Sequence, residues 1–121
     1  MPVHNSEIAE MFEEMADLLE IQDANQFRVR SYRNGARTVS GLSRSLAEMV
    51  EQEEDLTELS GIGESLADKI VTIVETGELE QLQELEKETP PALRTLMRIE
   101  GLGPKRTAKI WKELGVETLD Q

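Results

Sequence analysis

Two stretches of the chain, LSGIGESLADKI at residues 59–70 and IEGLGPKRTAKI at residues 99–110, repeat one pattern forty positions apart. Each has an apolar residue, any residue, Gly, an apolar residue, Gly and then a helical run, with a downstream Lys-Ile in register. Two glycines one residue apart let the backbone adopt angles that other residues resist, and they clear side chains from the approach. The amides at the start of the following helix have no partner within it. Together with the positive end of the helix dipole, they make a ready phosphate site. A single G-x-G can serve merely to join two helices tightly. Two copies with matched flanks favour the phosphate reading and give a helix-hairpin-helix, an element that grips the DNA backbone rather than reading bases.

The rest of the pattern is helical. Asn5 or Ser6 is placed to cap a first helix carrying Ile8, Met11, Phe12, Met15, Leu18 and Leu19 at three- and four-residue spacing. A second helix is expected from about Gln26 to Val39, carrying Phe27, Tyr32, Ala36 and Val39 among arginines, with Gly41 at its end. Others follow at Leu46 to Gln52, Glu64 to Glu75 (stopped by Gly77) and Glu78 to Lys87, with a single turn over 55–59. Pro90-Pro91 opens a further helix to Arg98, and Pro104 starts one that runs to Leu114. No segment alternates with period two, so the fold class is all-α, a small helical domain with two helix-hairpin-helix motifs. Residues 116–121 read as the opening of another helix, as in a piece of a longer protein.

Charge is the apparent objection to nucleic acid, because the net formal charge is −12. It falls in blocks, however. Residues 1–23 hold seven carboxylates and no Lys or Arg, whereas residues 24–47 hold Arg28, Arg30, Arg33, Arg37 and Arg44 and no carboxylate. Residues 48–58 carry six acids, and residues 94–112 carry six basic side chains against Glu100 alone. Each block can be an ordinary solvated face, or it can make a local field of its own sign. Both basic blocks lie beside or within a glycine turn. A phosphate site built from backbone amides needs no net positive charge.

The lack of cysteine excludes disulfides and thiolate metal sites, and the single histidine, His4, falls in an amino terminus expected to fray, where neither a metal site nor a Ser-His pair is expected. The amino terminus has no secretory pattern, and no apolar run reaches the length of a membrane span. A soluble, cytoplasmic monomer is expected.

The order of an acidic helix, FRVRSYRNGARTV, LSGIGESLADKIVTIVETGELEQLQEL and MRIEGLGPKRTAKIWKELGV resembles the amino-terminal part of a family X DNA polymerase, the DNA polymerase beta-like group. The resemblance runs from about Ser6 through nearly the whole chain. It implies a DNA-end-binding, lyase-like domain over residues 1–85, and over residues 86–121 the second hairpin and the start of the next polymerase subdomain. The palm that carries the polymerase carboxylates and their Mg2+ lies downstream in the family. The partners implied are gapped or nicked DNA and the following polymerase domains. The implied DNA contacts are Arg28, Tyr32, Arg33, Gly61, Ile62, Gly63, Ser65 and Lys69 in the first half, and Gly101, Leu102, Gly103, Lys105, Arg106 and Lys109 in the second.

In eukaryotic members the small domain is also a deoxyribose-phosphate lyase acting through a Schiff-base lysine, which matches Lys69, and Tyr32 matches a tyrosine of that pocket. Three positions depart from the family: Phe27 replaces a phosphate-binding histidine, Arg28 replaces a lysine and Ser65 replaces a second lysine. Glu64 and Asp68 also flank Lys69 in sequence and are expected to hold its pKa up. The resemblance further implies a monovalent cation, Na+ or K+, at each hairpin. Its ligands would be backbone carbonyls of Thr57, Leu59 and Ile62 at the first, and of Met97, Ile99 and Leu102 at the second. Three functions stay open on the residues: a DNA-binding module, the lyase, and a domain whose acidic helices meet a basic protein.

Overall fold

The structure, a computed structural model, describes residues 3–22, 25–89, 103 and 109. Helix α1 (Asn5–Ile21) buries Ile8, Phe12, Met15, Leu18 and Leu19 as one stripe, as its three- and four-residue spacing requires. Its cap is His4 rather than Asn5 or Ser6: the Glu7 carboxylate accepts from the His4 amide at 3.0 Å. Asn5 is used over a longer range. Its side-chain amide donates to the Arg44 carbonyl at 2.7 Å, and its oxygen accepts from the Leu46 amide at 2.9 Å. It thus ties the start of α1 to the start of α3 (Leu46–Glu51).

Asn25 caps α2 (Gln26–Gly41) by accepting from the Phe27 amide at 2.7 Å. α1 and α2 pack lengthwise and form the largest interface of the fold. A short 3-10 turn (Leu56–Glu58) leads into α4 (Glu64–Thr76), which Gly77 ends in the left-handed conformation at φ 78°. α5 (Glu80–Glu88) returns to lie on α1, while α3 and the 3-10 turn pack on α4. Among the described residues there are five α-helices and no strand, as the sequence pattern requires.

One core joins all of these elements, from Phe12 and Met15 through Val39 and Leu46 to Ile70 and Ile73. Phe12 and Tyr32 meet edge to face, with ring centroids 5.7 Å apart. Packing against this core extends to the last residue of the continuous described stretch. Thr89 is fully buried; its hydroxyl donates to the Leu85 carbonyl at 2.9 Å and accepts from the Gln22 side chain at 3.5 Å.

Candidate nucleic-acid interface

The first glycine turn sits on α2. Ile62 is only 3% exposed and enters the core, so it pins the turn as its position between the glycines suggests. The Thr38 hydroxyl donates to the Ser60 carbonyl at 2.7 Å and fastens the turn from the other side. The two glycines do different work. Gly61 has φ 78°, a conformation that favours glycine, whereas Gly63 has φ −89° and needs none of that freedom. A Cβ at Gly63 would meet nothing within 4 Å, so the space in front of it is open.

Gly63 is also the N-cap of α4, and no side chain caps that helix. The amides of Gly63, Glu64 and Ser65 donate to no acceptor among the described residues. A helix of 13 residues therefore offers its unpaired N–H groups, at the positive end of its dipole, to the space that Gly63 leaves clear.

A cleft of about 380 Å³ opens at this point. Gly61, Gly63, Ser65 and Lys69 line it from the turn and α4; Phe27, Arg28, Ser31 and Tyr32 line it from α2. Among the described residues no carboxylate lines it, although the whole chain is strongly acidic. The acids nearest in sequence, Glu64 and Asp68, instead border a second cleft with Glu54 and Asp55. The cause is helical geometry: each residue turns about 100°, so the 64/68 row and the 65/69 row look into different spaces. α4 thus separates a cationic cleft from an anionic one.

Lys69 donates to the Ser65 hydroxyl at 3.1 Å, one turn back on the same helix. Its pKa is lowered, first by burial and then by the neighbouring Arg28 charge, against which Asp68 pulls upward. The expectation that flanking acids hold it up is therefore corrected: burial and Arg28 outweigh Asp68. Burial raises the Tyr32 pKa, while the charge and hydrogen bond of Arg28 act in the other direction. Arg28 is thus the cation that acts on both titratable groups of the cleft.

Arg33 does not join this group. It reaches Glu20 at 2.7 Å, Asp17 at 3.0 Å and Glu13 at 3.6 Å, all on α1. These three acids rise along one face of α1, and the lengthwise packing of α2 brings the guanidinium among them. Its role in the described fold is to tie the two helices together. Two polar residues of the cleft, Ser31 and Gln81, carry no expectation from sequence. Ser31 shares the i, i+3, i+4 row of Arg28 and Tyr32, a signal present in the sequence. Gln81 arrives from α5 and has no local signal.

The carbonyl oxygens of Thr57 and Ile62 accept no hydrogen bond from described residues, and that of Leu59 accepts one, from the Ile62 amide at 3.1 Å. Oxygen donors of this kind suit a hard monovalent cation, so the first hairpin fits the implied ion by donor type. Met97, Ile99, Gly101, Leu102, Lys105 and Arg106 lie outside the described residues. Gly103 and Lys109 are described as single exposed positions.

Sequence comparison agrees with this geometry. A family model described as "Helix-hairpin-helix domain" matches residues 3–79, and one described as "SAM-like Helix-hairpin-helix tandem" matches residues 53–115. The chain is 36% identical over 94% of its length to the DNA polymerase/3'-5' exonuclease PolX of Bacillus subtilis (strain 168), covering 19% of that protein. It is 30% identical over 97% of its length to the DNA nucleotidylexotransferase of Ambystoma mexicanum, covering 22% of it. Against the DNA polymerase lambda of Rattus norvegicus the identity is 27% over 97% of the chain and 19% of the relative. The chain therefore spans about a fifth of the length of these relatives. The matches support DNA binding, and the chain belongs to the helix-hairpin-helix family in the form of the amino-terminal region of a family X DNA polymerase.

Proposed function

We propose that this chain holds the phosphorylated 5′ end at a DNA gap or nick. The observation that carries the reading is the convergence, in one cleft with no carboxylate among its described lining residues, of the uncapped α4 amides with Arg28 and Lys69. A terminal phosphate accepts from the amides in the space left open by Gly63, and the two cations neutralise it. A monovalent cation held by carbonyls of Thr57, Leu59 and Ile62 would add positive charge beside a neighbouring phosphate. Fluorescence anisotropy on a gapped duplex, with and without the 5′-phosphate and at two salt concentrations, tests the reading. Salt-sensitive binding that tightens with the phosphate supports it; binding indifferent to the phosphate reduces it to a general backbone grip.

A second reading, deoxyribose-phosphate lyase, is favoured by the lowered pKa of Lys69 beside Arg28. In its neutral form the Lys69 amine attacks the sugar aldehyde at C1′, water leaves, and an iminium forms. Loss of a C2′ proton then expels the 3′ phosphate. Borohydride trapping on abasic DNA tests it: the parent protein should cross-link, and equal trapping by Lys69→Ala would remove Lys69 from the role.

A further inference from the structure

α2 carries Arg28, Arg30, Arg33 and Arg37 and no carboxylate, in a chain whose net charge is −12. Like charges three and four positions apart repel along a helix, so Arg30, Arg33 and Arg37 work against the element that holds them. The fold relieves one of the three, because Glu13, Asp17 and Glu20 neutralise Arg33. Arg30 and Arg37 are exposed, and neither has an ion pair among the described residues. Arg30 sets its guanidinium carbon 5.8 Å from the Phe27 ring centroid, a contact that leaves its charge unneutralised. Folding does not account for these two cations.

Seven residues make nearly two full turns, so Arg30 and Arg37 stand on one row of α2, about 10 Å apart along its axis. The first glycine turn rests on the strip beside that row. A Cβ at Gly61 would lie 3.6 Å from the Thr38 hydroxyl and 3.8 Å from the Asn34 Cβ. Arg28, Ser31 and Tyr32 line the cleft from beyond the same strip. At about 100° per residue, the order around α2 is cleft, turn, then the Arg30–Arg37 row.

We propose that Arg30 and Arg37 bind phosphates of the continuous strand opposite the gap, while the cleft holds the 5′ end of the interrupted strand. This rests on the DNA-end reading given above. A duplex presents two backbones, and α2 presents cations on both sides of the turn. A strand carries a phosphate about every 3.4 Å of its axis, so a backbone lying along α2 meets both guanidiniums. DNA is favoured over an acidic protein because the row shares its helix and its turn with the cleft.

The test uses the 121-residue chain and gapped duplexes with and without the 5′-phosphate. In further duplexes methylphosphonates neutralise either the continuous strand opposite the gap or the interrupted strand beside it. Anisotropy over a salt series gives affinity and its salt slope. The double variant Arg30→Gln/Arg37→Gln should flatten the slope of log K against log salt by about 1.4–1.8. It should weaken binding equally with and without the 5′-phosphate. Arg30→Lys/Arg37→Lys should restore the slope, since a phosphate track needs charge. Methylphosphonates in the continuous strand should flatten the slope of the parent protein and add nothing to the Gln variant. Circular dichroism should be the same for all three proteins, because both side chains are exposed. An unaltered slope in the Gln variant overturns the track and leaves the face to an acidic protein or to solvent. Flattening of the parent slope by methylphosphonates in the interrupted strand alone overturns it too. In both cases a parent protein that prefers the 5′-phosphate keeps the DNA-end reading standing. A parent protein indifferent to that phosphate overturns the DNA-end reading and the strand assignment with it.

Discussion

Arg33 of α2 and Glu20 of α1 meet at 2.7 Å, and Glu20 is only 9% exposed. The pair is the inner part of a cluster that reaches outward through Asp17 to the half-exposed Glu13. Burial works against the Arg33 charge, but hydrogen bonds to Glu20 and Asp17 outweigh it and hold its pKa above the ordinary arginine value. A charged arginine is thus built into the largest helix interface of the fold.

Arg33→Ala should destabilise the domain by about 1.5–3 kcal/mol, because it leaves a largely buried carboxylate without its charged hydrogen-bond partner. Arg28→Ala, at an exposed cleft position, should change stability by less than about 0.5 kcal/mol. DNA affinity should show the reverse order, with the larger loss for Arg28→Ala. Urea midpoints and anisotropy on the same two variants check this. An Arg33→Ala protein of unchanged stability but poor DNA binding would return Arg33 to the interface.

These two arginines show where reading the chain as a string succeeds and where it stops. The stripe from Ile8 to Leu19 and the stop at Gly77 are local, and the helices they predict are the helices observed. The turn at Gly61-Ile62-Gly63 and the place of Lys69 on the helix that follows it are local, whereas Arg28 reaches them from α2 through the packing of the fold and is implied in the sequence only by the family resemblance. Arg33 could not be sorted this way. Glu13, Asp17 and Glu20 look like surface acids until α2 is laid along α1, and nothing within either helix encodes that meeting. Gln81 is the same case, brought to the cleft by the path of α5. Asn5 suited a local cap, but its hydrogen bonds go to α3 and its preceding loop across the fold.

The two glycines of the turn should separate fold from function. Gly61→Ala should cost about 1–2 kcal/mol, the penalty of a left-handed backbone for an L-residue; the nearest atom to the new Cβ, the Thr38 hydroxyl oxygen at 3.6 Å, adds no clash. Gly63→Ala meets no atom within 4 Å and has a negative φ, so stability should be unchanged within about 0.5 kcal/mol. Its methyl group would occupy the path of a phosphate to the α4 amides, so DNA affinity should fall. Thermal melts paired with DNA titrations measure both effects; undiminished DNA binding by Gly63→Ala would take the phosphate away from that helix terminus.

Gly35 permits a close approach that its neighbours do not reveal. A Cβ there would lie 2.8 Å from the Leu66 Cδ1, with Phe12 and Ile62 at 3.5 and 3.6 Å blocking easy retreat. Gly35→Ala gains about 0.8–1.0 kcal/mol of helix propensity and loses about 1–3 kcal/mol to overpacking. The net should be a loss of about 1 kcal/mol, read as a lower urea midpoint at unchanged m-value. A more stable Gly35→Ala protein would mean that Leu66 has room to swing aside.

Lys69 should titrate below an ordinary lysine, and Arg28 and Asp68 should move it in opposite directions. Burial is the largest cause of the lowered value, Arg28 adds to it and Asp68 resists. Arg28→Ala should therefore raise the Lys69 midpoint without restoring it fully, and Asp68→Asn should lower it further. Between the folded value and the ordinary lysine value the unfolded chain binds more protons than the folded one, so stability rises with pH through that window. The penalty is fully present below the folded-state pKa and is relieved as pH climbs past it. A pH titration of the Lys69 side-chain NMR signal in the parent and both variants reads these shifts directly. An unmoved midpoint in Arg28→Ala would mean that solvent screens the pair. The neutral amine that the lyase reading requires would then depend on burial alone.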